Sequence, residues 1–217
     1  MKDTKEIKKS LSNYWYYYKY HTIAAIFIIA LIVGTLTGSL GSVKDDLTVD
    51  YIGKDGVATQ DFSDKLTSNF TSVIKDINTD GKVKISFQMI FLSGGVTMEQ
   101  KAFVEVSAAD TTSFIVDEAT YLQYAASGVF QPLDELAAKY NIDSTKYSSL
   151  KVKETETGES HIYAVPLEKT NFLATLKPAN MQLYYGVKAQ SVNSGDYKKN
   201  MYENSMLVAE NLAAQIK

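Results

Sequence analysis

The chain lacks cysteine and arginine altogether, and its 217 residues include only three prolines, two histidines and one tryptophan. The absence of cysteine excludes disulfides, thiol catalysis, thiolate metal sites and lipid acylation of an N-terminal cysteine. Arginine is the side chain that binds carboxylate and phosphate through two parallel hydrogen bonds. Because the chain has none, a tight anion site would have to use lysine or backbone N–H groups. No motif in the sequence indicates a cofactor, a bound metal or a catalytic residue.

Charge is small overall but unevenly distributed, with a net value of −3. Residues 1–21 contain five lysines and two acidic residues, whereas residues 44–217 contain 17 lysines and 23 acidic residues. An acidic main region argues against nucleic acid as a partner, because phosphate contacts need clustered positive charge. The hydrophobic content of 45% is ordinary for a folded protein, so we expect one well-packed domain after residue 43.

Residues 22–43 contain no charged side chain and begin with the apolar run TIAAIFIIALIV. As a helix this segment would span about 33 Å, which is enough to cross a bilayer core of roughly 30 Å. Tyrosine and tryptophan side chains, which favour the headgroup zone, crowd residues 14–20, and all five early lysines precede the apolar run. The positive-inside rule therefore predicts a cytoplasmic segment (1–21), a transmembrane signal-anchor helix (22–43) and an extracytoplasmic domain (44–217).

Two further interpretations of this segment stay open. Small residues at Ser39-Leu40-Gly41 resemble the cleavage site of a secretory signal peptide, which would be removed after export. Ala30, Gly34 and Gly38 recur every four residues and would share one helix face, a spacing that favours close packing of two membrane helices and hence a helix-mediated homodimer.

The outer domain alternates between strand patterns and amphipathic helix patterns, which predicts an α/β fold with a mostly parallel sheet and helices on both faces. Leu47–Gly53 is predicted as the first strand, and apolar residues spaced by three and four predict a helix over Gln60–Asn78. The other predicted elements are strands over 82–91, 113–117 and 182–188, helices near 98–108, 121–126, 132 and 196–216, and a hairpin turning at Gly158.

Two segments carry a resemblance to a known family. ADTTSFIVDEATYLQYAASGVFQPLDEL (109–136) has a buried strand ending in aspartate, then a helix, a glycine-aromatic pair and Pro-Leu-Asp, and HIYAVPLEKTNFL (161–173) has a Tyr-x-x-Pro segment. These segments resemble the first lobe of the extracytoplasmic solute-binding proteins of ABC transporters. The resemblance implies one membrane-anchored lobe of that scaffold, because the chain returns from Pro166 to its last strand without room for a second lobe.

If the domain binds a ligand, we expect the site at the carboxyl ends of the parallel strands, where open α/β sheets form a crevice. Ser93-Gly94-Gly95 follows a strand, and backbone N–H groups in such a turn can hold an anion. The candidate ligand-binding residues are Ser93, Gly94, Asp110, Thr111, Asp117 and Tyr163.

Other patterns have structural explanations that we prefer. The segment from Asp76 to Gly81 resembles the start of a calcium loop, but its twelfth position is Phe87 instead of glutamate, and it also fits a helix-to-strand turn. His161, the only histidine of the outer domain, is expected to be a hydrogen-bonded strand residue. Pairs of acidic residues at 117–118 and 134–135 fall where helices would begin and would complement the helix dipole.

The sequence thus favours a non-enzymatic, membrane-tethered binding or interaction module of unknown ligand. The lipid bilayer would be one partner, and a membrane permease or a second lobe-like protein would be another. A structural or assembly role in a membrane complex, such as a transporter, is the alternative, and an extracellular hydrolase is a third hypothesis.

Overall fold

The protein is described by a computed structural model that covers residues 4–41, 44–53, 59–93, 95–108, 111–147, 149–167, 182–190 and 195–216. The chain forms two compact units, residues 1–43 and residues 44–217. The first unit is a single helix, and the second is an α/β domain. The two are described separately.

The first unit consists of helix α1 (Thr4–Gly41). Its stretch Tyr14–Gly34 is long and apolar enough to cross a membrane by length and composition, and none of that stretch is buried in the protein. A signal sequence near an N-terminus meets the same criterion. This stretch overlaps the predicted span of residues 22–43, whose bounds stay a prediction.

The second unit is built on a five-stranded mixed sheet with the strand order β2-β1-β3-β7-β6. Its strands are β1 (Leu47–Gly53), β2 (Ile85–Phe91), β3 (Ser113–Asp117), β6 (Ala164–Pro166) and β7 (Leu183–Val187). Strands β2, β1 and β3 pair in parallel, and β7 runs antiparallel to both β3 and β6. Four strands therefore share one direction, which confirms the predicted mostly parallel α/β sheet.

Helices pack on both faces of this sheet. Helices α2 (Gln60–Thr71) and α6 (Asp196–Ala214) cover one face, where Phe62 of α2 contacts Tyr51 and Ser205 of α6 bonds Ser113. Helix α4 (Glu118–Ala126) covers the other face, where Tyr121 stacks on Tyr184 at 4.5 Å between ring centroids. Helix α3 (Val96–Ala108) joins α4 through the contact between Phe103 and Tyr124.

A small second layer completes the domain. Helix α5 (Asp134–Lys139) leads to the antiparallel pair β4 (Lys151–Lys153) and β5 (Ser160–Ile162). The hairpin between these strands turns at Gly158, whose φ of 73° is the left-handed conformation that glycine adopts without steric cost. This arrangement confirms the predicted hairpin.

The predicted helix over Gln60–Asn78 is too long at its C-terminal end. Helix α2 ends at Thr71, and Ser72 is its C-cap. Its buried side chains Phe62, Leu66 and Phe70 continue the predicted apolar stripe, and Ile74 is buried beyond the helix end. The chain leaves the helix early because it must turn at Thr79 and Gly81, both with positive φ, before entering β2.

Candidate functional site at the carboxyl ends of the strands

The parallel strands end in a row that forms one edge of the sheet. Gly53 of β1 lies opposite Phe91 of β2, and Ile52 lies opposite Val116, so the next residue, Asp117, ends β3 at the same level. Leu183, the first residue of the antiparallel strand β7, pairs with Asp117. We call this row, defined by Gly53, Phe91 and Asp117, the carboxyl edge.

Gly53 lies at the centre of the carboxyl edge and is approached by two polar side chains. A methyl group on its Cα would lie 2.7 Å from the Tyr51 hydroxyl oxygen and 3.3 Å from Asp117 Oδ2. The Tyr51 side chain is fully buried, and Asp117 is 7% exposed. A carboxylate and a phenol therefore pack closely against a buried residue that has no side chain, and only glycine leaves space for both groups.

Asp117 has a structural role at the same place. Its Oδ1 accepts a hydrogen bond from the backbone N–H of Thr120 at 3.0 Å, which caps the first turn of α4. The next residue, Glu118, accepts a hydrogen bond from the Ser149 hydroxyl. These two carboxylates complement the positive end of the α4 dipole, as the sequence predicted for this acidic pair. The carboxyl edge is consequently acidic at the start of α4.

The structure places the six candidate ligand-binding residues in different parts of the domain. Ser93 lies two residues after β2, the end strand of the sheet, and is exposed in a turn near the carboxyl edge. Asp117 belongs to the edge itself. Gly94 and Asp110 lie outside the residues that the structure describes, so their placement stays a prediction.

Thr111 and Tyr163 lie at the opposite end of the sheet, which we call the amino edge. Thr111 lies two residues before β3, and Tyr163 lies directly before β6. Ala164 of β6 and Phe114 of β3 both pair with Gly186, so the two strands begin at about the same level of the sheet. The expectation that these two residues share a crevice with Asp117 is therefore not met. Strand direction separates them, because β3 and β6 carry the chain from the amino edge toward the carboxyl edge.

Tyr163 has a packing role at the amino edge. Its backbone N–H donates to the Tyr121 hydroxyl at 3.3 Å, and its own hydroxyl donates to Glu154 Oε2 at 3.4 Å. Burial, together with the negative charge of Glu154, raises the pKa of Tyr163 to about 12. The phenol thus stays protonated and acts as a hydrogen-bond donor.

His161 is a hydrogen-bonded strand residue, as predicted. Its Nδ1 lies 2.6 Å from Asp134 Oδ2, and its Nε2 lies 3.2 Å from Glu159 Oε2. Hydrogen bonding to Asp134 and then to Glu159 raises the pKa of His161 above its ordinary value. His161 belongs to β5, which leads into β6 at one end of the five-stranded sheet, whereas Ser93 follows β2 at the other end, so these two residues do not form a nucleophile-base pair.

Buried polar networks hold the amino edge together. The Ser113 hydroxyl bonds the Ser205 hydroxyl and the Tyr185 hydroxyl, each at 2.8 Å. Asp46, fully buried at the start of β1, accepts from the backbone N–H groups of Ile77 and Lys84. A hydrogen bond between buried groups replaces the water that each group lost on folding, so these networks fix how α6 and the loop after α2 pack on the sheet.

The calcium-like segment is a turn closed by its own side chains. Asp76 Oδ1 accepts from the N–H of Thr79, and Asp76 Oδ2 accepts from the N–H of Gly81. Asn78 and Asp80 each accept from the N–H two residues further along the chain. These oxygens form Asx-type turn bonds, and within the described ranges no group of three acidic or histidine residues is arranged to hold a metal ion.

A shallow groove of about 560 Å³ runs between α5 and α6 and is separate from the carboxyl edge. Leu136, Met206 and Leu207 give it an apolar floor. Lys139 and Glu210 form an ion pair at its rim, and this pairing raises the pKa of Lys139 and lowers that of Glu210. The groove offers a mixed surface typical of protein contact areas.

Sequence reasoning did not identify Tyr51 and Gly53 as part of the edge. The signal was a glycine directly after the buried run LTVDYI, a position at which a missing side chain often marks close approach of another group. Asp46 lies three residues after the apolar segment in the sequence, yet it is fully buried. Its partners lie 31 to 38 residues away along the chain, so no local pattern could identify them.

No family model matches the chain, and no curated protein matches it. Solved structures with partial similarity include an ABC transporter solute-binding protein from Agrobacterium vitis S4 with bound D-mannitol. It shares 20% identity, and the match covers 56% of this chain and 26% of that protein with a TM-score of 0.36.

Two further structures show similarity of the same extent. An ABC substrate-binding protein from Listeria monocytogenes in complex with cycloalternan shares 18% identity over 56% of this chain and 29% of its own, with a TM-score of 0.37. A sugar transporter from Rhizobium etli in an open conformation shares 16% identity over 55% and 28% of the two chains, with a TM-score of 0.35. The match thus spans less than a third of the length of each of these structures.

Proposed function

We propose that this chain is a membrane-tethered, non-enzymatic binding module whose ligand contacts the carboxyl edge. The observation that carries the proposal is the meeting of the Asp117 carboxylate and the Tyr51 hydroxyl over Gly53. In open α/β sheets, ligands bind outside the carboxyl ends of the strands, and the site needs only a few well-placed polar groups. The buried surroundings of these two side chains keep them in fixed positions.

The charge at the edge favours a particular ligand chemistry. Asp117 and Glu118 already occupy the positive end of α4, so a further anion would be repelled there. A carboxylate and a phenol serve well as hydrogen-bond partners of hydroxyl groups or of an ammonium group. The ligand is therefore a neutral polyhydroxylated compound or a cation.

The tether in this proposal is α1, whose stretch Tyr14–Gly34 has the length and composition of a membrane span and contains no buried residue. The excess of lysine before the apolar run would keep the N-terminus in the cytoplasm and the α/β domain outside. Protease added to intact cells should then degrade the domain. Protection of the domain until the membrane is opened would contradict this orientation, and recovery of a shortened chain free of the membrane would indicate a cleaved signal peptide.

Ligand binding can be tested on the full chain in detergent micelles by thermal unfolding with sugars, amino acids, short peptides and Ca²⁺. A ligand present at 100 times its dissociation constant stabilises the folded state by about 2.7 kcal/mol, which is readily measured. We expect a shift with at least one sugar or cationic compound and none with simple anions. The absence of any shift would remove the support for a ligand site.

A matched pair of variants then locates the site. Asp117→Asn retains an oxygen that can cap α4 but removes the charge, so the fold should persist while the ligand-induced shift is lost. Asp196→Asn, at the exposed start of α6, makes the same chemical change away from the edge and should leave the shift intact. Equal shifts in both variants would place the ligand elsewhere.

A structural or assembly role in a membrane complex is the second candidate. The observation in its favour is the continuous helix α1, which brings Ala30, Gly34 and Gly38 to one face by their spacing of four. A side chain at Gly34 would meet nothing within 4 Å, so this face is open for a neighbouring helix. Gly34→Leu should release a bound permease or helix partner in detergent pull-downs, whereas ligand binding by the outer domain should not change.

A further inference from the structure

Strand β2 forms one end of the five-stranded sheet. It pairs with β1 in parallel over all seven of its residues, from Ile85 to Phe91, without a bulge. Within the described ranges no strand pairs with its outer side. An edge of this kind presents a row of backbone donors and acceptors that can pair with another strand.

The sequence of β2 contains none of the features that usually protect an edge strand. ISFQMIF has no charged residue, no proline and no glycine, and the nearest charges along the chain are Lys84 and Glu99. Lys84 is engaged with Asp45 at 2.8 Å, beside the start of the strand. Natural edge strands are commonly protected by lysine, proline or a bulge, so an uncharged strand of seven residues without a bulge indicates an edge that is covered in the working protein.

The strand is also complementary to itself. If two copies of β2 run antiparallel about a two-fold axis at Gln88, two of the opposed pairs are apolar with apolar and the central pair is glutamine with glutamine. The opposed pairs are Ile85 with Phe91, Ser86 with Ile90, Phe87 with Met89, and Gln88 with Gln88 of the second copy. No like charges face each other, the large apolar side chains meet across the axis, and the two central amides can bond each other.

We propose that two copies of this chain associate through β2, in an antiparallel pair centred on Gln88, so that their two sheets join into one. A two-fold contact of this type uses the same surface on both molecules and closes on itself, so it protects both edges without forming a fibre. The partly buried side chains Phe87, Met89 and Phe91 would become covered in the dimer. The contact involves only the α/β domain and does not depend on a ligand at the carboxyl edge.

The complete absence of cysteine gives a direct test with the full chain in detergent micelles. In Gln88→Cys, two thiols would face each other with Cα atoms about 4.5 to 5.5 Å apart, which suits a disulfide. Mild oxidation should yield a covalent dimer. Gln100→Cys, exposed on α3, measures random collision and should give little dimer.

The register of the pair gives a second test. In Ser86→Cys alone, the two thiols would be separated by four residues along the strands, about 14 Å, so no dimer should form. A mixture of the Ser86→Cys and Ile90→Cys chains should cross-link, because these positions are opposed. The proposal would be overturned if Ser86→Cys alone gave the highest yield of cross-linked dimer, or if Gln88→Cys and Gln100→Cys gave equal yields.

A variant without cysteine tests the contact at equilibrium. Gln88→Lys would place two ammonium groups against each other at the axis and should raise the dissociation constant of the dimer about tenfold or more. Gln100→Lys adds the same charge on α3 and should leave the dimer mass unchanged in sedimentation. Circular dichroism checks that both variants stay folded. A wild-type chain that is monomeric at all accessible concentrations would overturn self-pairing, and so would a Gln88→Cys chain that cross-links only to a different protein.

Discussion

The two ends of the parallel strands differ in how their polar groups are used. At the amino edge, buried hydroxyl, amide and carboxylate groups bond each other or the backbone, as in the network of Ser113, Tyr185 and Ser205. At the carboxyl edge, Asp117 and Tyr51 fill the space that a side chain at Gly53 would occupy. One end of the sheet is therefore held by side-chain hydrogen bonds between distant segments, and the other by two polar side chains packed against a glycine. Stability should depend on the first end and recognition on the second.

The strongest test of this contrast is Asn204→Ala. The Asn204 side chain is fully buried and bonds the backbone N–H of Lys75, the carbonyl of Lys75 and the carbonyl of Asp46. Its loss leaves buried backbone groups without partners, so the free energy of unfolding should fall by about 3 kcal/mol. Urea unfolding of the full chain in mild detergent measures this change. Asn200→Ala, partly exposed on the same helix, should change it by less than about 0.5 kcal/mol.

Gly53→Ala tests the carboxyl edge and should have an intermediate effect. The added methyl group would lie 2.7 Å from the Tyr51 hydroxyl, so the buried ring must move, at a cost of about 1 to 2 kcal/mol in unfolding free energy. Any ligand-induced thermal shift should disappear as well. Gly195→Ala meets nothing within 4 Å and serves as the control. A Gly53→Ala chain that keeps full ligand affinity would show that the edge is not the binding surface.

Tyr185→Phe removes one hydroxyl from the amino edge and should have a smaller effect. This hydroxyl bonds Ser113 Oγ at 2.8 Å and donates to the Ser205 carbonyl at 3.1 Å. We expect a loss of about 1 kcal/mol in unfolding free energy, since the ring still fills the core. Ligand affinity should not change, and a matching loss of affinity would contradict the separation of the two edges.

The smallest predicted effect is a dependence of stability on pH that comes from His161. Hydrogen bonding to Asp134 raises its folded-state pKa above the value of 6.5 for the unfolded chain. Its stabilising contribution is therefore complete below pH 6.5 and is lost as the pH rises through the folded-state pKa. His161→Gln should lower the unfolding midpoint more at pH 5.5 than at pH 8. An equal change at both pH values would rule out a charge-dependent role.

Much of the fold could be predicted because its signals are local. The boundaries of β1 and β3 follow from short buried runs, and the hairpin at Gly158 follows from a glycine between two polar strands. The end of α2 could not be predicted, because the apolar spacing continues to Ile74 and Ile77 while the chain has already left the helix. There, turn geometry outweighed periodicity.

The candidate site was predicted only in part, for a reason of strand direction. Asp117 was placed at a strand end from its sequence position, and it lies at the carboxyl edge. Thr111 and Tyr163 are also next to strands, but they precede them, and a position before a parallel strand lies at the other end of the sheet. Tyr51 and Gly53 reach the site through a close approach that no spacing in the sequence reveals.

The sequence by itself determined the apolar N-terminal helix, the charge asymmetry around it and the α/β class of the outer region, because periodicity and composition are properties of neighbouring residues. Only the tertiary structure decided which segments each buried polar residue holds together. Asp46 and Asp117 are both aspartates beside a strand, yet one clamps backbone groups far away in sequence and the other ends at the carboxyl edge. That difference arises from which segments the fold brings together. The outer side of β2 likewise follows from the tertiary structure, because β2 is the last strand at one end of the sheet.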